Sequence, residues 1–298
     1  MSNTSRLAGK VAVVAGATRG AGRGIALALG AAGATVYATG RSTRGQLSDM
    51  GRTETIDDTA DLITSKGGKG IAVRVDHTQA EQVKALFERV RAEQNGQLDI
   101  LVNDVWGGDA LVKWGERFWE HSLTDGLKVI ERAVFTHLIT AHYGAPLMVA
   151  RGSGLLIEIT DGDNEWNKAY RGNLYYDLVK TTINRMAMGM AEELKSHGVT
   201  ALALTPGFLR SEAMLDHFGV TEANWRDAIA QDPFFAGSET PHFIGQAVVA
   251  LASDPQVMRK AGQALATWHL AEEYGFNDAD GQRPHWLRFY EASVEKQG

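Results

Sequence analysis

The 298-residue sequence predicts an α/β fold, a doubly wound parallel sheet with helices on both faces, and three observations carry that reading. Short apolar runs alternate with helix-length amphipathic stretches from Lys10 to about Thr267. No Pro- or Ser-rich linker or internal repeat interrupts them. A glycine-rich turn joins the first run to the first helix. The runs at 11–15, 35–38, 70–75, 99–102, 155–159, 200–204 and 263–266 read as seven strands, short and largely apolar as strands of a parallel sheet are. Between the second and third strands, residues 42–54 form an inserted loop longer than such connections usually are, with Thr53 or Thr55 capping the next helix. Residues 206–241, polar, aromatic and helix-like in pieces, lie after a strand and read as a lid. Residues 267–298 form a C-terminal extension rich in aromatic and charged side chains, which packs back or meets another subunit. Residues 1–298 therefore read as one domain with these three additions.

Composition narrows the function classes. With 30 basic and 36 acidic side chains the net charge is −6, against the basic excess a nucleic-acid binder shows. The absence of cysteine rules out disulfides, thiol catalysis and thiolate zinc sites. Hydrophobic residues make up 44% of the chain, enough for a core without staples. No apolar run approaches the ~18 residues of a membrane span, and the N-terminal stretch lacks an apolar signal region. A cytoplasmic protein with neither membrane nor nucleic-acid partner is expected.

The first strand runs into Gly16-Ala-Thr-Arg-Gly20-Ala-Gly22-Arg-Gly24 and then an apolar helix. Glycines there allow a tight turn and close backbone approach to a pyrophosphate, which the helix N-terminus attracts with N–H groups and its dipole. The turn, with Thr18 and Arg19 inside it, resembles the TGxxxGxG fingerprint of the short-chain dehydrogenase/reductase family, matching at Gly16, Gly20 and Gly22 and carrying Ala15 where the family usually has Thr. That resemblance extends to about Ala266 and implies a Rossmann-like fold and a nicotinamide cofactor.

At the end of the second strand, where an acid would hold a ribose 2′-hydroxyl, stand Gly40 and Arg41. A missing carboxylate beside a guanidinium suits a 2′-phosphate, and Arg19 offers a second cation, so NADP(H) is expected. By the resemblance, Asp76 after the third strand would hold the adenine, unless it caps the following helix. Asn103 matches only the first residue of the family's NNAG motif, Asp104, Val105 and Trp106 replacing the rest. Pro206 and Gly207 match the family's PG turn beneath the nicotinamide, and Ser211 stands where a threonine often contacts the carboxamide.

Tyr176 and Lys180 lie four residues apart in a helical pattern and so share a face. An ammonium beside a phenol favours phenolate, which makes the pair general acid/base machinery for a carbonyl or alcohol oxygen. The pair resembles the family's YxxxK motif; Tyr175 is followed at that spacing by Val179 and is set aside. The family's serine after the fifth strand is replaced by Asp161, with Thr160 just before it. Either Thr160 presents its hydroxyl or a protonated Asp161 donates to the substrate, and both alternatives stand against a loop-capping Asp161. The family's helix asparagine is missing, with Ile130 or Glu131 in its region. His121, His137 and His142 read as structural or surface residues. Trp106, Trp166 and Phe208 are candidates for an aromatic substrate pocket, as are Trp114 and Trp225.

The resemblance implies an NADP(H)-dependent oxidoreductase interconverting a carbonyl and an alcohol, Tyr176 moving the proton and Lys180 lowering its pKa. Within the family the chain is similar to a divergent branch, the member-one type, in which NNAG is altered. Two other readings stay open: an NADP-binding sensor or scaffold without turnover, and a dehydratase or isomerase using Asp161. Helices near 124–150 and 172–197 resemble those that pair subunits in this family, implying a homodimer or homotetramer.

Overall fold

The structure, a computed structural model, describes residues 6–163 and 165–295. Seven parallel strands form one sheet in the order β3-β2-β1-β4-β5-β6-β7: β1 Val11–Ala15, β2 Thr35–Gly40, β3 Lys69–Arg74, β4 Ile100–Asn103, β5 Gly154–Ile159, β6 Val199–Thr205 and β7 Ala264–Ala266. Every expected strand is present, its ends within two residues of the expectation. β1 and β6 are buried at every position, which is why their sequences are apolar without alternation. The chain reverses its winding between β1 and β4, the switch point at which ligands bind beyond the strand C-termini.

The helices are α1 Gly20–Ala31, α2 Ile56–Ser65, α3 Ala80–Glu93, α4 Leu123–Ile130, α5 Thr136–Arg151, α6 Leu174–Leu194, α7 Glu212–Phe218, α8 Pro241–Ser253, α9 Thr267–Tyr274 and α10 Trp286–Glu295. One face of the sheet packs Ile25, Leu29, Ile244, Val248 and Leu270 over Val14, Val36 and Leu202. The other packs Leu86, Phe87, Met148 and Leu194 over Val13, Leu101 and Leu156. Thr55, not Thr53, caps α2 by accepting from Asp58 N–H. The long helix expected at 124–150 runs from Leu123 to Arg151 as one helical path, with a π-helical turn over Glu131–Phe135 joining α4 to α5. Such turns are rare and gather at functional sites. None of the helices among the described residues is long and apolar enough to cross a membrane.

The additions to the sheet meet at its C-terminal edge. Arg52, in the inserted loop, bridges Glu54 at 2.5 Å and Asp216 of α7 at 2.8 Å. The C-terminal helix α10 lies on residues 233–237, where Tyr290 stacks on Phe234 at 5.3 Å and Phe289 fills the space beside Gly237.

Candidate active site

The glycine turn is built by close approach. Gly16 sits at φ +88°, and a Cβ there would lie 2.4 Å from the Asp104 carbonyl oxygen. Its N–H and that of Ala17 donate to Thr39 O, locking the turn to the end of β2. A Cβ on Gly22 would meet Gly16 O at 2.3 Å and Asp104 Oδ2 at 2.8 Å. Helix α1 carries no acid in its first turn, and its Gly20 N–H donates to Glu212 Oε2 at 2.7 Å. A carboxylate from α7 thus occupies the anion-attracting helix end, which shows that this N-terminus accepts a negative group as a pyrophosphate would require.

The cations expected at the cofactor are partnered by acids. Arg41 Nη2 is 2.7 Å from Asp49 Oδ1, and Arg132 of the π-helical turn holds the other oxygen of Asp49 at 2.5 Å. Burial pushes Asp49 up, but Arg132 and Arg41 outweigh it and hold the carboxyl below its usual range. Arg19 faces Asp109 at 3.8 Å. Gly40 has no room for a side chain, since a Cβ would lie 2.6 Å from Thr18 Oγ1.

Three expected cofactor contacts have other partners. Asp76 Oδ1 accepts from the Thr78 N–H and hydroxyl, an Asx turn leading into α3, whose cap residue is Gln79. Asn103 is fully buried, its amide donating to Glu158 Oε1 at 2.7 Å. Ser211 Oγ caps α7 by accepting from Met214 N–H. Gly207 N–H donates to Glu239 Oε2 at 3.0 Å beneath the Pro206-Gly207 turn.

A polar network without a motif in the sequence joins β5, α5 and the end of β4: buried Glu158 on β5 binds His137 Nδ1 at 2.5 Å, and His137 Nε2 reaches Val105 O at 3.2 Å. It fixes the β4 end that carries Asp104 and Trp106. Burial pushes Asp104 up to about 7, against Lys180 and the Gly22 N–H, which favour its anion.

Asn173 caps α6 by accepting from Tyr176 N–H, which seats Tyr176 in the first turn with Lys180 one turn further on. Tyr175 packs instead against Gly126 of α4. Trp106 stands edge-on to Tyr176 at 5.7 Å and Trp114 lies tilted at 4.9 Å. Lys180 Nζ is 4.4 Å from the Trp106 ring centroid and 5.6 Å from that of Tyr176. The Tyr176 hydroxyl donates to Asp161 Oδ2. Thr160 is turned away, its hydroxyl donating to Lys180 O at 2.7 Å. Of the two replacements for the serine, then, Asp161 faces the phenol and Thr160 ties β5 to α6.

The electrostatics correct one expectation. Lys180 was expected to lower the Tyr176 pKa; burial first, then the charge and hydrogen bond of Asp161, push it well above its usual value. Lys180 itself is pushed down by burial, although Asp161 and Asp104 favour its charge. Arg171, which carries no motif in the sequence, completes the cluster: Nη1 is 3.4 Å from Asp161 Oδ2 and the guanidinium lies over the Tyr176 ring at 5.4 Å. Glu131 is exposed. Trp166 and Phe208 form a second aromatic group under α10, with Trp286 6.1 Å from Trp166 and 5.8 Å from Phe208.

A parallel sheet with a glycine turn at its switch point and a tyrosine–lysine helix beyond β5 defines the dinucleotide-binding α/β class. The sequence matches the short chain dehydrogenase family over residues 10–218. It is 37% identical over 280 residues to mouse dehydrogenase/reductase SDR family member 1, covering 92% of this chain and 84% of that one. Against the human protein of that name it is 35% identical over 283 residues, with the same shares covered. Among solved structures it resembles a short chain dehydrogenase from Mycobacterium thermoresistibile (TM-score 0.76, 22% identity, 92% and 90% covered). A hydroxysteroid dehydrogenase from Escherichia coli is similar in fold (TM-score 0.69, 24% identity, 90% and 98% covered). The chain belongs to the short-chain dehydrogenase/reductase family, a family of nicotinamide-dependent oxidoreductases, and is similar to its member 1 branch.

Proposed function

We propose that the protein is an NADP(H)-dependent oxidoreductase interconverting a small carbonyl compound and its alcohol in the cytoplasm. The observation that carries this is the juxtaposition of Tyr176, Lys180 and Asp161 beside a glycine turn whose helix end already accepts a carboxylate. Gly16, Gly20 and Gly22 would let the pyrophosphate approach, with Thr18 beside them, Arg41 and Arg19 would meet the 2′-phosphate, and Asp76 and Asn103 lie at the adenine and nicotinamide sides. Pro206, Gly207 and Ser211 lie at the nicotinamide side as well. When bound, the nicotinamide supplies or receives the hydride. Tyr176 gives or takes the proton at the substrate oxygen, and Lys180 lies one turn along the same face to hold the ribose. Trp106 and Trp114 flank the reacting phenol, while Trp166 and Phe208 stand at the α10 side of the pocket; Thr160 supports α6.

Exposed Leu123, Leu127, Phe135, Leu138 and Leu178 on α4 to α6 leave an apolar face suited to a second copy, and light scattering that gives a monomer mass would remove this assembly. The function is tested by following NADPH oxidation over a panel of ketones, aldehydes and quinones, with Tyr176→Phe beside the parent. Turnover that falls ~100-fold or more in the variant is expected. Equal turnover in both would overturn the assignment of Tyr176. Tight NADPH binding with no oxidation across the panel would favour the acid–base reading centred on Asp161 or a sensor.

A further inference from the structure

The charges around Tyr176 are arranged about a carboxylate more than about an ammonium. Asp161, on the loop after β5, accepts the Tyr176 hydroxyl. Arg171, on the loop before α6, donates from Nη1 to the Asp161 carbonyl and sits 3.4 Å from the carboxylate. Its Nε is 3.3 Å from Asp177 Oδ1 on α6, and its side chain is only 10% exposed. A guanidinium held by one carbonyl, two carboxylates and the face of a phenol is a fixed charge. The other charged groups facing the pair are Lys180 on α6 and Asp109 on the β4–α4 loop, with Asp104 at the end of β4 facing Lys180.

We infer that Asp161 is the terminal proton acceptor and donor of the reaction, reached through the Tyr176 hydroxyl, and that Arg171 is the positioning residue that holds its carboxylate there. The inference rests on the oxidoreductase reading above. In the oxidation direction the alcohol carbon loses its hydride to the oxidised nicotinamide. The alcohol hydroxyl proton passes to Tyr176 Oη as the Tyr176 proton passes to Asp161 Oδ2. The products are the carbonyl compound, the reduced cofactor and a neutral Asp161, and reduction runs the same transfers backwards. The geometry favours this relay over a free phenolate for two reasons. The phenol already donates to a carboxylate, and burial with the Asp161 charge disfavours its ionisation. The Asp161 side chain is also 39% exposed, so its proton has a route to water.

The test has one readout that needs no turnover. In an alkaline titration of the full chain, tyrosinate absorbance is compared with Tyr176→Phe to isolate Tyr176. Asp161→Asn is expected to bring that ionisation down by ~1 pH unit or more, because the neighbouring negative charge is gone. An ionisation unmoved by Asp161→Asn overturns the pair. In the oxidation direction, the acid limb of the kcat/KM profile is expected to vanish in Asp161→Asn, with a rate loss of ~100-fold. Arg171→Gln is expected to move the limb to higher pH, and Arg171→Lys to restore most of the parent profile. A parent acid limb retained in Asp161→Asn overturns the relay. Absence of all turnover in the parent overturns it together with the oxidoreductase reading, whereas an unmoved titration with intact turnover overturns the relay alone.

Discussion

Arg41 follows β2 with its guanidinium on Asp49, an acid that Arg132 grips from the opposite side. On the NADP(H) reading a 2′-phosphate would compete with a carboxylate of this chain for Arg41, and its greater charge and number of acceptor oxygens would favour it. Arg41→Ala is expected to weaken NADPH binding by roughly tenfold or more, the worth of one charge-assisted contact, and to leave NADH binding nearly unchanged. Fluorescence titrations of both cofactors check this, and an equal loss for both would remove the 2′-phosphate from Arg41. Arg41 was legible because it stands one residue past a strand in a known motif. Arg171, Glu158 and His137 were not, since each gains its meaning from a partner on another element: Arg171 from Asp161 and Tyr176, Glu158 from Asn103 and His137. Asp161 was legible only as one of two alternatives, because one residue of register decides whether Thr160 or Asp161 meets the Tyr176 hydroxyl, the other turning to the α6 backbone.

The strands were legible for a reason of scale: a parallel strand covered on both faces is largely apolar, and seven short runs of that kind leave little choice of sheet. The π-helical turn at Glu131–Phe135 was not, because its residues keep the helical pattern of α4 and α5 and only the hydrogen-bond register changes. Contacts between elements distant in sequence were equally hidden. Glu212 opens α7, yet its carboxylate takes the Gly20 N–H of α1 and lies 3.5 Å from Arg23. The same residue lines a cleft of about 490 Å3 between residues 51–54 and α7, which Arg52 spans. If the glycine turn takes a pyrophosphate as proposed, the pyrophosphate would have to take that N–H from Glu212, and cofactor binding and the seating of α7 would oppose each other. Glu212→Gln removes the competing charge while keeping an acceptor, and it is expected to tighten NADPH binding roughly three- to tenfold. Calorimetry showing unchanged or weaker binding would place the pyrophosphate away from this helix end.

Over the whole molecule, buried titratable groups tilt stability with pH in opposing ways. His77, enclosed between Thr39 and Thr140, is pushed down to about 3 by burial and, secondarily, by His137. Its neutral form belongs to the folded state, so the stability it contributes is full above its unfolded value of 6.5 and is lost as pH falls from there toward 3. Glu239, 1% exposed under the Pro206-Gly207 turn, is pushed by burial from 4.5 up to about 8, despite the Gly207 N–H and the Thr267 hydroxyl, which favour its anion. The folded state keeps that proton, so its cost appears above pH 4.5 and grows until pH passes about 8. Asp104, pushed up to about 7, acts in the same direction. Between pH 4.5 and 6.5 His77 and Glu239 oppose each other, and above 6.5 the costs of Glu239 and Asp104 go on acting against stability toward pH 8. Glu239→Gln preserves an acceptor for Gly207 N–H and Thr267 while removing the ionisable proton, at a site joining the turn after β6 to the start of α9. The variant is expected to match the parent near pH 4.5 and to exceed it by about 3 kcal/mol at pH 7, several degrees in Tm. His77 and Asp104 are common to both proteins and cancel in the difference. Melting curves from pH 4.5 to 8 read it directly, and a gap that does not widen with pH would show that Glu239 ionises freely in the folded state.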